Sequence, residues 1–191
     1  MIDNIKEEKI TKAKKMMLLF GLLSITMTFA GLTSAYIVSK GRPDWTLDFN
    51  FPTEFFFSTL IIVLSSITLF ISKNKLVNGK PVNSVFIWIL ITFILGIVFI
   101  IFQFIGFNKI IDQGYYFAGA QSAIKTSFIY VLSFLHIVHL VAGLIVLIVL
   151  MVNTKKGKYV NNNLGFNLGS NFWHFLDFLW LYLFSFFYFF G

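Results

Sequence analysis

Four ionisable side chains lie inside long apolar stretches of this sequence: His136, His139, His174 and Asp177. Histidine is the commonest metal ligand and carries protons near neutral pH. The set could therefore hold a haem or a metal, pass protons, or join helices by buried hydrogen bonds. Placing an aspartate in a bilayer costs roughly 2.5–3.5 kcal/mol on insertion scales, so Asp177 is expected to face protein and to have a partner. His174 and Asp177 are three positions apart, which makes them neighbours on one helix face. Ser185 and Tyr188 fall within about 60° of the same direction, giving a single polar stripe on an otherwise aromatic cylinder. His136, His139 and Gly143 also share a face, and the glycine lets a neighbouring helix approach closely.

Depth and number weigh between these chemistries. Counted from the cytoplasmic ends of the apolar runs at ~1.5 Å per residue, His139 lies ~20 Å deep and His174 and Asp177 ~3–8 Å deep. Ligands so staggered do not share one metal without tilt or slippage, and three histidines are too few for two bis-histidine haems. No cysteine is present, which removes disulfides, thiolate zinc sites and iron–sulfur clusters. One aspartate is thin support for a proton relay. The residues thus read as a structural polar network of His136, His139, His174 and Asp177 locking the fourth and fifth apolar segments together. No residue is assigned a catalytic, cofactor-binding or metal role. The alternatives are an independent membrane transporter and a haem-binding cytochrome b-like protein.

The elements that carry these side chains follow from composition. The chain is 58% hydrophobic and 12% charged, with a mean hydropathy of +0.83, more apolar surface than a soluble domain of this size can hide. Apolar runs of about 20 residues match a hydrocarbon core ~30 Å thick. Five occur, at 16–38, 53–72, 84–106, 126–152 and 172–190, so the fold class is all-α: an integral membrane bundle of five transmembrane helices in a single domain. The segments before helix 1, between helices 2 and 3 and between helices 4 and 5 carry eleven Lys and Arg residues, against four on the other side. The positive-inside bias then puts the N-terminus in the cytoplasm and the C-terminus outside, and gives the net charge of +7 a topological role rather than a nucleic-acid partner. The first apolar run exceeds the ~7–15 residues of a signal-peptide core. Breakers mark the turns: Gly41-Arg42-Pro43-Asp44, Asn78-Gly79-Lys80-Pro81 and Asn161-Asn162-Asn163-Leu164-Gly165. Only the segment 108–125 is long enough for ordered structure outside the bilayer. Small and hydroxylated residues of helix 1 (Gly21, Ser24, Thr26, Thr28, Ala30, Gly31, Thr33, Ser34, Ala35) are expected to form a close-packed helix interface. The aromatic excess suits lipid contact and interfacial anchoring.

The stretch Asn171-Phe172-Trp173-His174-Phe175-Leu176-Asp177-Phe178-Leu179-Trp180 closely resembles the terminal Trp-His-Phe-Val-Asp-x-x-Trp motif of subunit III of haem–copper respiratory oxidases, the cytochrome c oxidase subunit III family. Gly165-Phe166 sits at the spacing of that family's Gly-Phe pair, and His136, His139 and Gly143 match three positions of its fourth-helix pattern. Ser58-Thr59 and Ser65-Ser66 are similar to its Asn-Thr and Ser-Ser, Phe29-Ala30-Gly31-Leu32 with Tyr36 to its first-helix pattern, and Gly96, Phe99 and Gln103 to its third. Two positions depart: Ile25 and Gly106 stand where members usually have glutamate. The resemblance implies a diverged short, five-helix form without a redox centre, in the bacterial inner (cytoplasmic) membrane. Haem and copper are expected in the partner subunits I and II. The chain itself would be a non-catalytic accessory subunit of a proton-translocating oxidoreductase, stabilising the catalytic subunit and binding phospholipid. A principal subunit III and a paralogous copy within one oxidase or supercomplex both fit, and electron entry from cytochrome c or a quinol belongs to another subunit.

Overall fold

Backbone N–H and C=O groups in hydrocarbon have no water to bond, and a helix satisfies them within one segment. In the computed structural model every element is accordingly an α-helix: α1 (Ile2–Ser39), α2 (Glu54–Val77), α3 (Val82–Asp112), α4 (Ile124–Lys155) and α5 (Leu164–Phe190). The structure describes residues 2–42, 45, 52–117, 124–159 and 162–190. All five helices are long and apolar enough to cross a bilayer. Of the expected breakers, Pro43, Asp44 and Asn161 lie outside the described residues.

Each helix outruns its apolar segment, because hydropathy ends at the edge of the hydrocarbon whereas helical hydrogen bonding does not. α1 begins fourteen residues before the expected 16, and α5 begins eight residues before the expected 172. Its first turns hold Gly165, Asn167, Gly169, Ser170 and Asn171, which look like loop in sequence. Their helical state comes from packing. A Cβ on Gly169 would stand 3.0 Å from Leu150 and Val146 of α4, so α5 lies against α4 at a distance that a larger residue would reach only by pushing those side chains aside. Helix takes only the two ends of the segment 108–125: α3 runs to Asp112 and α4 starts at Ile124. Tyr130 Oη donates to the Tyr115 carbonyl at 3.2 Å and Ser127 Oγ to that of Phe117 at 2.8 Å, tying the connection to α4.

The two connections on the α2–α3 and α4–α5 side turn tightly. After α2, Lys80 N–H bonds the Lys75 carbonyl and Gly79 N–H that of Leu76; after α4, Lys158 and Gly157 do the same with Asn153 and Thr154. Gly79 and Gly157 have φ of 63° and 67°, the left-handed geometry this helix ending demands.

α2, α3, α4 and α5 pack in sequence and α5 returns to α2, closing a four-helix ring. Among the described residues α1 rests on α4 and α5, through Phe29, Thr33 and Tyr36, spaced i, i+4, i+7. Phe29 meets His139 edge-on with centroids 5.7 Å apart, Thr33 shares a 2.9 Å hydrogen bond with Tyr182, and Tyr36 packs on Phe186 at 5.1 Å. The small-residue interface expected in α1 is therefore not formed within the chain. Of those nine residues only Thr33 is buried; the others are exposed, and a Cβ on Gly21 or Gly31 would meet nothing within 4 Å. Bulky residues make the α1 contact.

Candidate functional site

The helix-5 motif lies on a polar seam with α2. Trp180 Nε1 donates to Thr59 Oγ1 at 3.0 Å and Trp173 Nε1 donates to Ser65 Oγ at 3.1 Å. Each hydroxyl spends its own proton at home: Thr59 donates to the Phe55 carbonyl at 2.7 Å, Ser65 to that of Ile62 at 2.8 Å. Every group in the pair of bonds is thereby satisfied without water, as a bilayer interior requires. Beside them Ser66 Oγ and His174 Nδ1 share a hydrogen bond of 2.6 Å. The two tryptophans are seven residues apart and their acceptors, Thr59 and Ser65, are six apart. Each spacing is close to two turns, about 9–10.5 Å along its helix, so the hydroxyls and rings meet along antiparallel neighbours.

Trp173 reaches further than its hydrogen bond. It is fully buried, and its ring edge sits where Cβ atoms would be on two other helices. A Cβ on Gly96 of α3 would lie 2.8 Å from Trp173 Cη2; one on Gly143 of α4 would lie 3.1 Å from Trp173 Cε3 and 2.8 Å from Leu176 Cδ1. One indole thus bonds α2 and fills glycine notches in α3 and α4. The close approach expected at Gly143 is realised, with α5 as the neighbour.

The four expected network residues are not joined. His136 is fully buried, its ring 5.2 Å from Trp180 and 6.0 Å from Phe99, and neither ring nitrogen has a hydrogen-bond partner among the described residues. His139 bonds the Leu135 carbonyl of its own helix at 2.7 Å and faces Phe29 of α1. His174 turns to Ser66. The wide depth stagger is also overturned. Gly143 abuts Trp173 and Leu176, so it stands level with His174, and His139 lies four residues, or ~6 Å, beyond it. The early start of α5 is what the apolar count missed. Direction separates the histidines instead, since they face α3 and α5, α1, and α2 respectively. No group of three or more His, Cys, Asp and Glu that could hold a metal ion occurs among the described residues.

Asp177 is buried at 3% exposure, and neither carboxylate oxygen completes a hydrogen bond among the described residues. Ser66 is near enough to interact with it, and the same hydroxyl shares the hydrogen bond with His174. The expected bond from His174 or Asp177 to α4 is absent among the described residues; the pair faces α2 because α5 presents its stripe there. Tyr188, at the far end of that stripe, packs edge-on against Phe56 of α2 with centroids 5.8 Å apart.

Three partners escaped sequence reasoning: Thr59, Ser65 and Ser66. They sit in the helix-2 run that matches the family pattern, and their spacing of about two turns, like that of Trp173, His174 and Trp180, was the available signal. At Gly106, where members usually have glutamate, a Cβ would lie 2.9 Å from Phe55 Cζ. The buried Phe55 ring fills that space. Near it Gln103 Nε2 donates to Ser58 Oγ at 2.9 Å, and Lys109 pairs with Glu54, joining α3 to α2 again.

Five membrane-length helices, four of them closed into a ring by an indole–hydroxyl seam and glycine notches, define a multi-pass helical membrane protein whose interior is occupied by packing. The family model described as cytochrome c oxidase subunit III matches residues 5–191, and the chain belongs to that family. It is 36% identical over 141 residues to the cytochrome bo(3) ubiquinol oxidase subunit 3 of Buchnera aphidicola subsp. Baizongia pistaciae, covering 70% of this chain and 67% of the relative. Identity to the cytochrome c oxidase subunit 3 of Bacillus sp. strain PS3 is 30% over 165 residues, covering 84% and 77%. The cytochrome bo(3) ubiquinol oxidase subunit 3 of Pseudomonas aeruginosa is 31% identical over 172 residues, covering 86% and 78%.

Proposed function

We propose that this chain is the non-catalytic accessory subunit III of a haem–copper terminal oxidase in aerobic electron transport, where it stabilises the catalytic subunit. The observation that carries this reading is the coincidence of motif and scaffold. Trp173 and Trp180, the anchors of the family motif, are spent on hydrogen bonds and packing that hold α2, α3, α4 and α5 together. What the motif maintains is a shape.

The partners in this reading are oxidase subunits I and II, which hold the haem and copper, in the bacterial cytoplasmic membrane. The eleven-to-four division of basic residues supports an N-terminus in the cytoplasm and a C-terminus outside. Lipid has a suitable place beside α1. A groove lined by Lys14 and Met17 of α1, Val149 and Asn153 of α4, and Gly169 and Phe172 of α5 is polar at its rim and apolar below, which fits the headgroup and acyl chain of a phospholipid. Purifying the tagged chain in mild detergent and identifying its companions tests the reading. Subunits I and II, with haem, are expected in stoichiometric amounts; a chain that purifies alone from aerobically grown cells overturns it.

A further inference from the structure

We infer that the groove between α2 and α5 receives a transmembrane helix of another oxidase subunit, which donates a hydrogen bond to Asp177. The groove has a volume of about 510 Å³ and is lined by Val63, Ser66, Ile67, Phe70, His174, Asp177, Phe178 and Leu181, so an apolar wall surrounds one polar recess. Asp177 is the midpoint of α5, thirteen residues or ~20 Å from either end. Neither of its oxygens completes a hydrogen bond among the described residues, although Ser66 is near enough to interact with it, and it is 3% exposed. A carboxylate at that depth needs a donor, and the described part of this chain supplies no hydrogen bond to it. Hydroxyls on the outward face of α1 show the contrast: Thr26 and Thr28 donate to the Leu22 and Ser24 carbonyls of their own helix and ask for nothing more.

The chemistry selects the occupant. An acyl chain brings no donor, and a lipid headgroup lies at the interface rather than ~20 Å along a spanning helix. A helix can carry a hydroxyl, amide, indole, imidazole or cationic side chain at mid-span. The groove also has a helix's shape. It continues along the same two helices past Val63 to Thr59, Leu60, Phe56 and Phe184, so a rod laid along it meets apolar surface beyond the recess. This inference rests on the accessory-subunit reading.

The test is photocrosslinking in the purified complex. p-Benzoylphenylalanine replaces Phe178 or Ile67 on the groove rim, or Met27 in α1 as a comparison; these residues are 69%, 50% and 72% exposed, so the interior is left intact. Phe178 and Ile67 are expected to capture one other oxidase subunit through a membrane-spanning peptide with a donor side chain near its centre. Asp177→Asn, which keeps an acceptor oxygen, should preserve the adduct. Asp177→Leu should lower its yield about three- to twenty-fold, the range one interhelical hydrogen bond spans in a bilayer. Adducts to phospholipid or to a second copy of this chain, capture from Met27 but not from Phe178, or a yield unchanged by Asp177→Leu each overturn the inference while the complex remains assembled. A preparation without other oxidase subunits overturns the functional reading itself, so the two failures are told apart by the composition of the sample.

Discussion

Glycines in α1 and in the four-helix ring have opposite meanings. Gly96 and Gly143 face bulky side chains so closely that a Cβ would come within 3 Å of Trp173 or Leu176, whereas Gly21 and Gly31 face nothing within 4 Å. The two regions look alike in sequence, since both combine small residues at helical spacing with apolar neighbours. A notch does structural work only when another helix offers something to fill it. In the ring Trp173 does so for two helices at once; α1 is held by its own large residues, Phe29 and Tyr36, pressing on α4 and α5. The ring is therefore an over-determined unit and α1 a loosely attached arm.

Five substitutions sharpen this contrast or break it. Trp173→Ala should be the most damaging, at about 3–5 kcal/mol, because it opens a cavity between three helices and leaves the Ser65 hydroxyl without its donor. Reversible unfolding of the subunit in mixed micelles measures this. Gly143→Leu should follow at about 1–3 kcal/mol, as an overpacked notch pushes α4 away from α5. Gly21→Leu, in the same assay, should stay within about 0.5 kcal/mol; equal losses at Gly143 and Gly21 would erase the distinction between the two regions. Asp177→Ala should weaken retention of the subunit in detergent by about 1 kcal/mol, within the range of a single interhelical bond, with initial oxidase turnover kept. Trp180→Phe should cost little more than Gly21→Leu, about 0.6 kcal/mol, since it removes one hydrogen bond and little ring area. A double-mutant cycle with Thr59→Val would show whether that loss belongs to the seam.

The existence of five helices was legible because a bilayer imposes length and hydropathy together. Their ends were not, since hydropathy reports the hydrocarbon and not the helix. Leu164–Asn171 reads as loop until Gly169 is seen against Leu150 and Val146. The face shared by His174 and Asp177 was legible from spacing, but its neighbour was not. Nothing in a single helix says which of the others it will meet, and α2 rather than α4 took that place. Thr59, Ser65 and Ser66 were hidden for a related reason. A hydroxyl in an apolar helix has the same appearance whether it only bonds its own carbonyl, as Thr26 does, or also accepts from an indole across a seam. The outward stripe of α1 meets no notch-filling side chain among the described residues, and small residues alone do not name the helix that would fill it.

The central claim is that the family motif in α5 builds a scaffold and takes no part in electron or proton transfer. The most direct measurement purifies the oxidase carrying Trp173→Ala in this chain, gently enough that the subunit is retained, and records initial turnover per haem and subunit content as detergent exposure lengthens. The account predicts native initial turnover, with the altered subunit dissociating sooner than the native one. A complex that holds the subunit as firmly as the native enzyme, yet loses turnover from the first cycles, would contradict it.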